Sequence, residues 1–530
     1  MPERPARAAA FRMVQPVRRA GLAPSDRGAP EPGEARLLAS GVLVQQLAQV
    51  SGLLVLLTVV TLLARRLSVA ELGAYGLVAS LSGYLLVLRN SVASSAVRAM
   101  TIAPAGEERS RTFSAAAALY AVVGLLTGLL IAAGALAIGG AILSGELGED
   151  ARLGGLGLGT VTAVGVASTV WLDALRAERL FVRSGLTEIA GVLSHLALML
   201  ALILSGADLA VVIALSGGLP LWSGVMSALV VWRTRLPIRL VRAGVTRERS
   251  MTIVPTAGWL LMVELSNFAM YAFSRVILGA YRSPVAVGLF EGPVRAHNLF
   301  YAIGGALAVP VVPTAGRYAE AGDQRRMREL AVRGTRYTLA LVVPLCVTLM
   351  VLAEPLLEVW LGERYGSGAT ALTILVSYWL LFGGLVVTPG FLVGAGRARD
   401  VGLITASAAV LNLILALWLT PSLGIEGPAL ATAIPFLLAF PLLLRVGRSV
   451  SGASTSELWR RAWLPAYGLA VALALALVGA RLTLDPQTLV TVIGAAVAGI
   501  GAYWGLFYGL VFGSEERELV RGLARRRAAS

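Results

Sequence analysis

Residues Met251 to Arg317 read MTIVPTAGWLLMVELSNFAMYAFSRVILGAYRSPVAVGLFEGPVRAHNLFYAIGGALAVPVVPTAGR. The stretch holds two apolar runs, each long enough to cross a hydrocarbon core of about 30 Å, which takes about 20 helical residues. Within them stand Glu264, Arg275, Glu291, Arg295 and His297. An ionisable group at membrane depth costs about 2.5–3.5 kcal/mol on insertion scales and is tolerated where it meets a partner or a water-filled cavity. The fold is therefore read as helices crossing a bilayer, with function sought where these charges gather.

Composition agrees. The 530 residues are 57% hydrophobic and 14% charged, with a mean hydropathy of +0.77. This is far from the balance of a soluble domain. The net charge is +15, carried entirely by arginines whose positions follow membrane topology, which argues against a nucleic-acid partner. With Cys346 the single cysteine and His195 and His297 the two histidines, an intrachain disulfide is impossible and no metal is expected. No phosphate-binding Gly-Lys loop is present. No cofactor is expected.

Applied along the chain, the 20-residue rule predicts about 14 spans, near 37–64, 72–100, 113–142, 155–175, 184–204, 209–232, 254–278, 286–313, 337–356, 369–392, 401–420, 426–444, 462–480 and 487–512. Residues 1–34, rich in proline and arginine and without an apolar run, read as a disordered cytoplasmic arm on an anionic membrane surface. Arginines then concentrate in alternate loops, from Arg109 and Arg111 through Arg233–Arg249 to the tail. Basic loops stay inside, so both termini are expected in the cytoplasm.

The longest basic connection, 233–253, divides a six-helix lobe (35–232) from a second (254–448). Helices 13 and 14 (449–512) and a basic cytoplasmic tail (513–530) follow. Ser68-Val69-Ala70-Glu71-Leu72-Gly73-Ala74-Tyr75 aligns with Ser283-Pro284-Val285-Ala286-Val287-Gly288-Leu289-Phe290, sharing Ser, Gly and a closing aromatic. The expected class is thus an all-α polytopic membrane protein of two pseudo-two-fold lobes with an appended helix pair. Repeats of this kind enclose a path with sites at their interface.

The run RLSVAELGAYG from Arg66 to Gly76 is similar to the opening outer loop of the multidrug/oligosaccharidyl-lipid/polysaccharide exporter superfamily, in its polysaccharide and lipid-linked oligosaccharide branch. VGLF from Val287, YAEAGD from Tyr318, AEPLLEVWLG from Ala353 and PSLGIEGPALAT from Pro421 continue the resemblance in order. It implies V-shaped lobes that alternate between inward-open and outward-open states in the cytoplasmic membrane. The implied cargo is a polyprenyl-pyrophosphate-linked glycan, with membrane lipid and glycan-assembly enzymes as partners and no enzymatic step of its own. Arginine suits such cargo, since guanidinium pairs well with phosphate oxygens.

Glu264, Asn267, Tyr271 and Arg275 share one face of the seventh span, and Glu291, Arg295 and Asn298 one face of the eighth. Two readings stand open: these faces line the cavity and meet substrate, or Glu291 and Arg295 at i, i+4 only neutralise one another. Arg275 is expected near the outer interface, where its side chain can snorkel. In the first lobe the candidates are Gln45, Gln46, Arg89, Asn90 and Arg98, the last matching a basic position of the family. Glu188 and His195, two turns apart, form a candidate ion-coupling pair. Three alternatives to the glycan flippase are a cation-coupled multidrug exporter, a peptidoglycan-precursor flippase, and a membrane glycosyltransferase or polymerase. The first span lacks the acid of the multidrug branch and the arginines of the peptidoglycan branch, and the outer loops are too short for a catalytic domain.

Overall fold

A computed structural model describes residues 32–253, 258–308, 311–484, 488–514 and 516–518. In the first lobe the spans are α1 (Pro32–Arg66), α2 (Val69–Ile102), α3 (Glu107–Ala141), α4 (Gly145–Ala177), α5 (Phe181–Ser205) and α6 (Leu209–Ser216 with Leu219–Arg233). The second lobe holds α7 (Gly258–Tyr281), α8 (Pro284–Ala308), α9 (Gln324–Val351), α10 (Glu363–Leu385), α11 (Ala398–Leu423) and α12 (Glu426–Ser451). The appended pair is α13 (Thr455–Thr483) and α14 (Leu489–Leu510).

Ten of these are long and apolar enough to cross a membrane by length and composition, and α6 makes an eleventh if its two halves, bent by 51°, form one span. The remaining three, α1, α7 and α8, coincide with expected spans. Among the described residues there is no strand. Trp418, Leu482 and Val490 lie 74%, 80% and 81% exposed, as befits side chains that face lipid rather than water.

The two lobes repeat one packing pattern. In the first, α1 packs on α5, α3 on α4 and α4 on α6; in the second, α7 packs on α11, α9 on α10 and α10 on α12. The lobes meet where α2 packs against α7 and α8, and helices α13 and α14 lean on α9. A continuous core joins the lobes through Leu72, Leu77, Phe290, Tyr365 and Trp379.

Several boundaries differ from those expected. The span expected over 286–313 is described as helix over Pro284–Ala308 and again over Val311–Glu320, and residues 309–310 lie outside the described residues. The span over 369–392 breaks at a 3-10 turn, Gly383–Leu385, and resumes at Thr388–Gly394. There Gly383 sits on Val342 and Gly384 on the Trp463 indole, so close packing set by small residues replaces a straight rod. Pro220 opens the second half of α6, where a missing N–H is harmless. Pro344, Pro435 and Pro441 lie inside α9 and α12 without ending either helix.

Of the expected arm, residues 1–31 lie outside the described part, and α1 already begins at Pro32. The 233–253 connection is not a loose linker. Ser110 and Ser114 of α3 accept from the Arg239 and Val241 amides at 3.3 and 2.8 Å, and Arg249 pairs with Glu108. The tail also docks at its start, where Glu516 accepts from Arg336 and Tyr337 of α9.

Candidate functional site at the lobe interface

The weak internal repeat has a structural cause. Ser68 caps α2: its Oγ accepts from the Glu71 amide at 3.2 Å while Glu71 Oε2 accepts from the Ser68 amide at 2.7 Å, a capping box. Ser283 does the same for α8, its Oγ accepting from the Ala286 amide at 3.2 Å. Five residues on, a Cβ at Gly73 would overlap the Pro284 carbonyl, and one at Gly288 would overlap the Val69 carbonyl. Pro284 is the repeat mate of Val69 and Gly288 of Gly73, so each helix offers the other the same glycine-to-carbonyl contact, as a two-fold axis requires. Tyr75 and Phe290 then bury their rings in the shared core.

One turn deeper this register places Gly76 opposite its own repeat mate, Glu291, whose carboxylate fills the space a Cβ would need. Glu291 thus stands on the pseudo-two-fold axis, about 10 Å below the start of α8 at 1.5 Å per residue. Its Oε1 accepts from Arg275 Nε at 2.6 Å and its Oε2 from Arg295 Nε at 3.1 Å. The side chains of Arg275 and Glu291 are 2% and 1% exposed, and that of Arg295 is 11% exposed.

Arg275, Glu291 and Arg295 thus lie together: the contact between Glu291 and Arg295 is common to both open readings, that with Arg275 was not expected, and Arg275 does not snorkel. It is among the largest fully buried side chains because Glu291 lies within reach of its helix and meets the guanidinium inside the protein. Asn267 and Asn298 on the same faces are half-buried. The side chains of Glu264, Tyr271, Gln45 and Gln46 lie outside the described residues.

The first-lobe candidates form a different arrangement. Arg89 donates to Asp173 Oδ2 at 2.7 Å, Thr169 at 3.1 Å and Asn90 at 3.2 Å. Tyr120 donates to the same Asp173 oxygen at 2.5 Å, and Arg176 bridges Asp173 Oδ1 and Glu188 Oε2, both at 2.9 Å. Asp173, Tyr120 and Arg176 were not among the expected site residues. The available signal was an acid inside the apolar run TVWLDAL, which membrane cost alone marks as partnered.

Glu188 thus turns to Arg176, while His195 lies two turns on, buried beside Gly218 at the break in α6. Arg98 is exposed and lines a cavity of about 480 Å³ with Glu108 and Arg249. His297, buried in the second lobe, shares a 2.7 Å hydrogen bond with the Tyr378 hydroxyl.

A sequence profile described as polysaccharide biosynthesis protein matches residues 62–369. The probable low-salt glycan biosynthesis flippase Agl15 of Haloferax volcanii is 24% identical over 160 residues, 30% of this chain. That alignment spans only 34% of Agl15. Among solved structures, the lipid II flippase MurJ in an inward closed conformation superposes with a TM-score of 0.67 at 14% identity, covering 91% of this chain and 99% of MurJ. An inward-facing multidrug resistance MATE family transporter of the MOP superfamily gives 0.66 at 17% identity, covering 77% of this chain and 98% of that one. At such identities these two matches establish the fold alone.

Proposed function

The chain belongs to the polysaccharide biosynthesis protein family, whose profile covers more than half of it, and on that premise we propose that it is an alternating-access flippase. Its cargo in this reading is an oligosaccharide or polysaccharide precursor linked to a polyprenyl (pyro)phosphate, moved across the cytoplasmic membrane with both termini of the protein inside. The observation that carries the reading is the cationic pair on the axis between the lobes: one carboxylate, Glu291, is divided between Arg275 and Arg295.

Arg295 is the member that keeps some exposure, and it is the phosphate contact in this proposal. A guanidinium offers a phosphate two parallel N–H donors, and such charge-assisted bonds are roughly twice as strong as neutral ones. Glu291 holds Arg295 in place while the site is empty and yields it when phosphate oxygens arrive. Arg275, fully buried, keeps Glu291 charged and oriented. The isoprenoid tail stays in lipid, so the protein has only the polar head group to shelter.

The test is Arg295→Ala in cells that need the cognate glycan. Export is expected to fall at least about tenfold, the loss of one charge-assisted contact or more, with unchanged protein in the membrane and with lipid-linked intermediate accumulating on the cytoplasmic side. Normal export by this variant overturns the assignment of Arg295. Glycosyl transfer by the purified protein without any translocation overturns the flippase reading itself.

A further inference from the structure

At the end of the bundle carrying Arg66 and Glu354, outer by the arginine rule, the lobes are held by a reciprocal lock. Arg364 of the second lobe donates to the Ala64 and Leu67 carbonyls at 2.7 and 2.9 Å, satisfying the last turn of α1. Arg65 of the first lobe donates to the Val359 carbonyl at 3.1 Å, near the end of the helix Ala353–Leu361. Trp360 Nε1 donates to Thr61 Oγ1 at 2.6 Å between them. Helix C-termini carry unsatisfied carbonyls and partial negative charge, so a guanidinium there both completes hydrogen bonds and meets a favourable field.

The far end of that short helix is held by the appended pair. Arg481 of α13 donates to the Val351 carbonyl at 3.0 Å and to Glu354 Oε2 at 2.6 Å, and α14 packs on the same helix. Arg65, Glu354, Glu358, Arg364 and Arg481 surround one polar cleft of about 1180 Å³. Lock and brace therefore grip a single nine-residue helix from opposite ends.

We infer that α13 and α14 act as a brace for this lock: Arg481 keeps Ala353–Leu361 where Trp360 and Val359 reach α1, and so biases the chain toward the state closed at that end. The appended pair, which lies outside the two-lobe repeat, thereby sets the balance between the two access states.

The experiment uses the full chain in lipid nanodiscs, with spin labels at Glu149→Cys and Ser422→Cys in a Cys346→Ala background. Glu149 lies near the start of α4 and Ser422 in the last turn of α11, in opposite lobes at the locked end, and both are exposed. Arg481→Ala is expected to raise the ratio of long-distance to short-distance conformers about threefold to tenfold, the scale of one exposed ion pair plus one backbone hydrogen bond. Glu354→Gln, which keeps side-chain volume, is expected to shift the ratio in the same direction, and Arg364→Ala to shift it further.

Exchanging the charges, Arg481→Glu with Glu354→Arg, rebuilds the ion pair but not the bond to the Val351 carbonyl, and is expected to bring the ratio part of the way back from that of Arg481→Ala toward the parent's. An unchanged distribution in both Arg481→Ala and Glu354→Gln while Arg364→Ala lengthens it overturns the brace. No change in any of the three overturns the lock as well. The measurement needs no cargo, so its outcome is separate from that of Arg295→Ala.

Discussion

Two buried carboxylates, each gripped by two arginines, differ in what they join. Asp173 is fully buried and takes Arg89, Arg176 and Tyr120, all from the first lobe. Arg176 passes on to Glu188, so two guanidiniums meet two carboxylates. Glu291 is just as buried, yet its Arg275 and Arg295 sit with it at the contact between lobes, against Gly76 of α2. A cluster whose members all move with one rigid lobe is unaffected by rocking, whereas one seated against the other lobe changes surroundings each time the lobes part. In the flippase we propose, the first acts as a fastener, and the second is where an incoming anion would find guanidinium charge divided over a single carboxylate.

The largest effect that would break this contrast is expected at Asp173. Asp173→Ala takes the buried acceptor from Tyr120 and the carboxylate partner from Arg89, and leaves Arg176 only Glu188, a loss of about 3–5 kcal/mol as for a buried pair broken on one side. The expected result is a protein that fails to accumulate in the membrane, or that unfolds in detergent well below the parent temperature. Wild-type abundance and melting would remove Asp173 from the structural role and reopen the first lobe as a binding region.

Next in size are the crossing glycines. Gly73→Val and Gly288→Val each drive a branched side chain into a backbone carbonyl of the opposite lobe, and overpacking of this kind costs about 1–3 kcal/mol. Because the two contacts are related by the pseudo-two-fold axis, the two variants are expected to lower thermal stability by similar amounts. A large loss from one and none from the other would show that the axis is a property of the sequence pattern only.

These same residues separate what is local in the sequence from what only folding brings together. Among the described residues the expected spans fall on helices, that over 369–392 with a break at Gly383–Leu385, because apolar length is local information, as are the i, i+4 spacing of Glu291 and Arg295 and the one-face spacing of Arg275. The repeat was visible as Ser, Gly and an aromatic, but its meaning as cap, crossing and core needed the helices brought together. Asp173 was missed because Arg89 and Tyr120 are 84 and 53 positions away, so no spacing rule connects them. The outer lock was hidden for the same reason: Arg364 reaches backbone carbonyls 300 and 297 residues distant, and a carbonyl carries no sequence signature.

The smallest expected effect falls on Glu188, and it decides between fastening and coupling at the edge of the Asp173 cluster. Its pair with Arg176 is partly exposed, with side chains 23% and 21% accessible, so Glu188→Gln is expected to cost about 1 kcal/mol at most after screening. We propose a fastening role, because Arg176 already engages the carboxylate and His195 is set apart beside Gly218. On that reading Glu188→Gln and His195→Gln leave the pH dependence of glycan export unchanged, with only small losses in melting temperature. Proton coupling through an imidazole requires a group that titrates during the cycle, so a flattened or displaced pH profile in both variants would move Glu188 and His195 from the fastener to the transport machinery. The first lobe would then carry a moving charge of its own, and Asp173 and Glu291 would no longer differ in whether their surroundings change as the lobes rock.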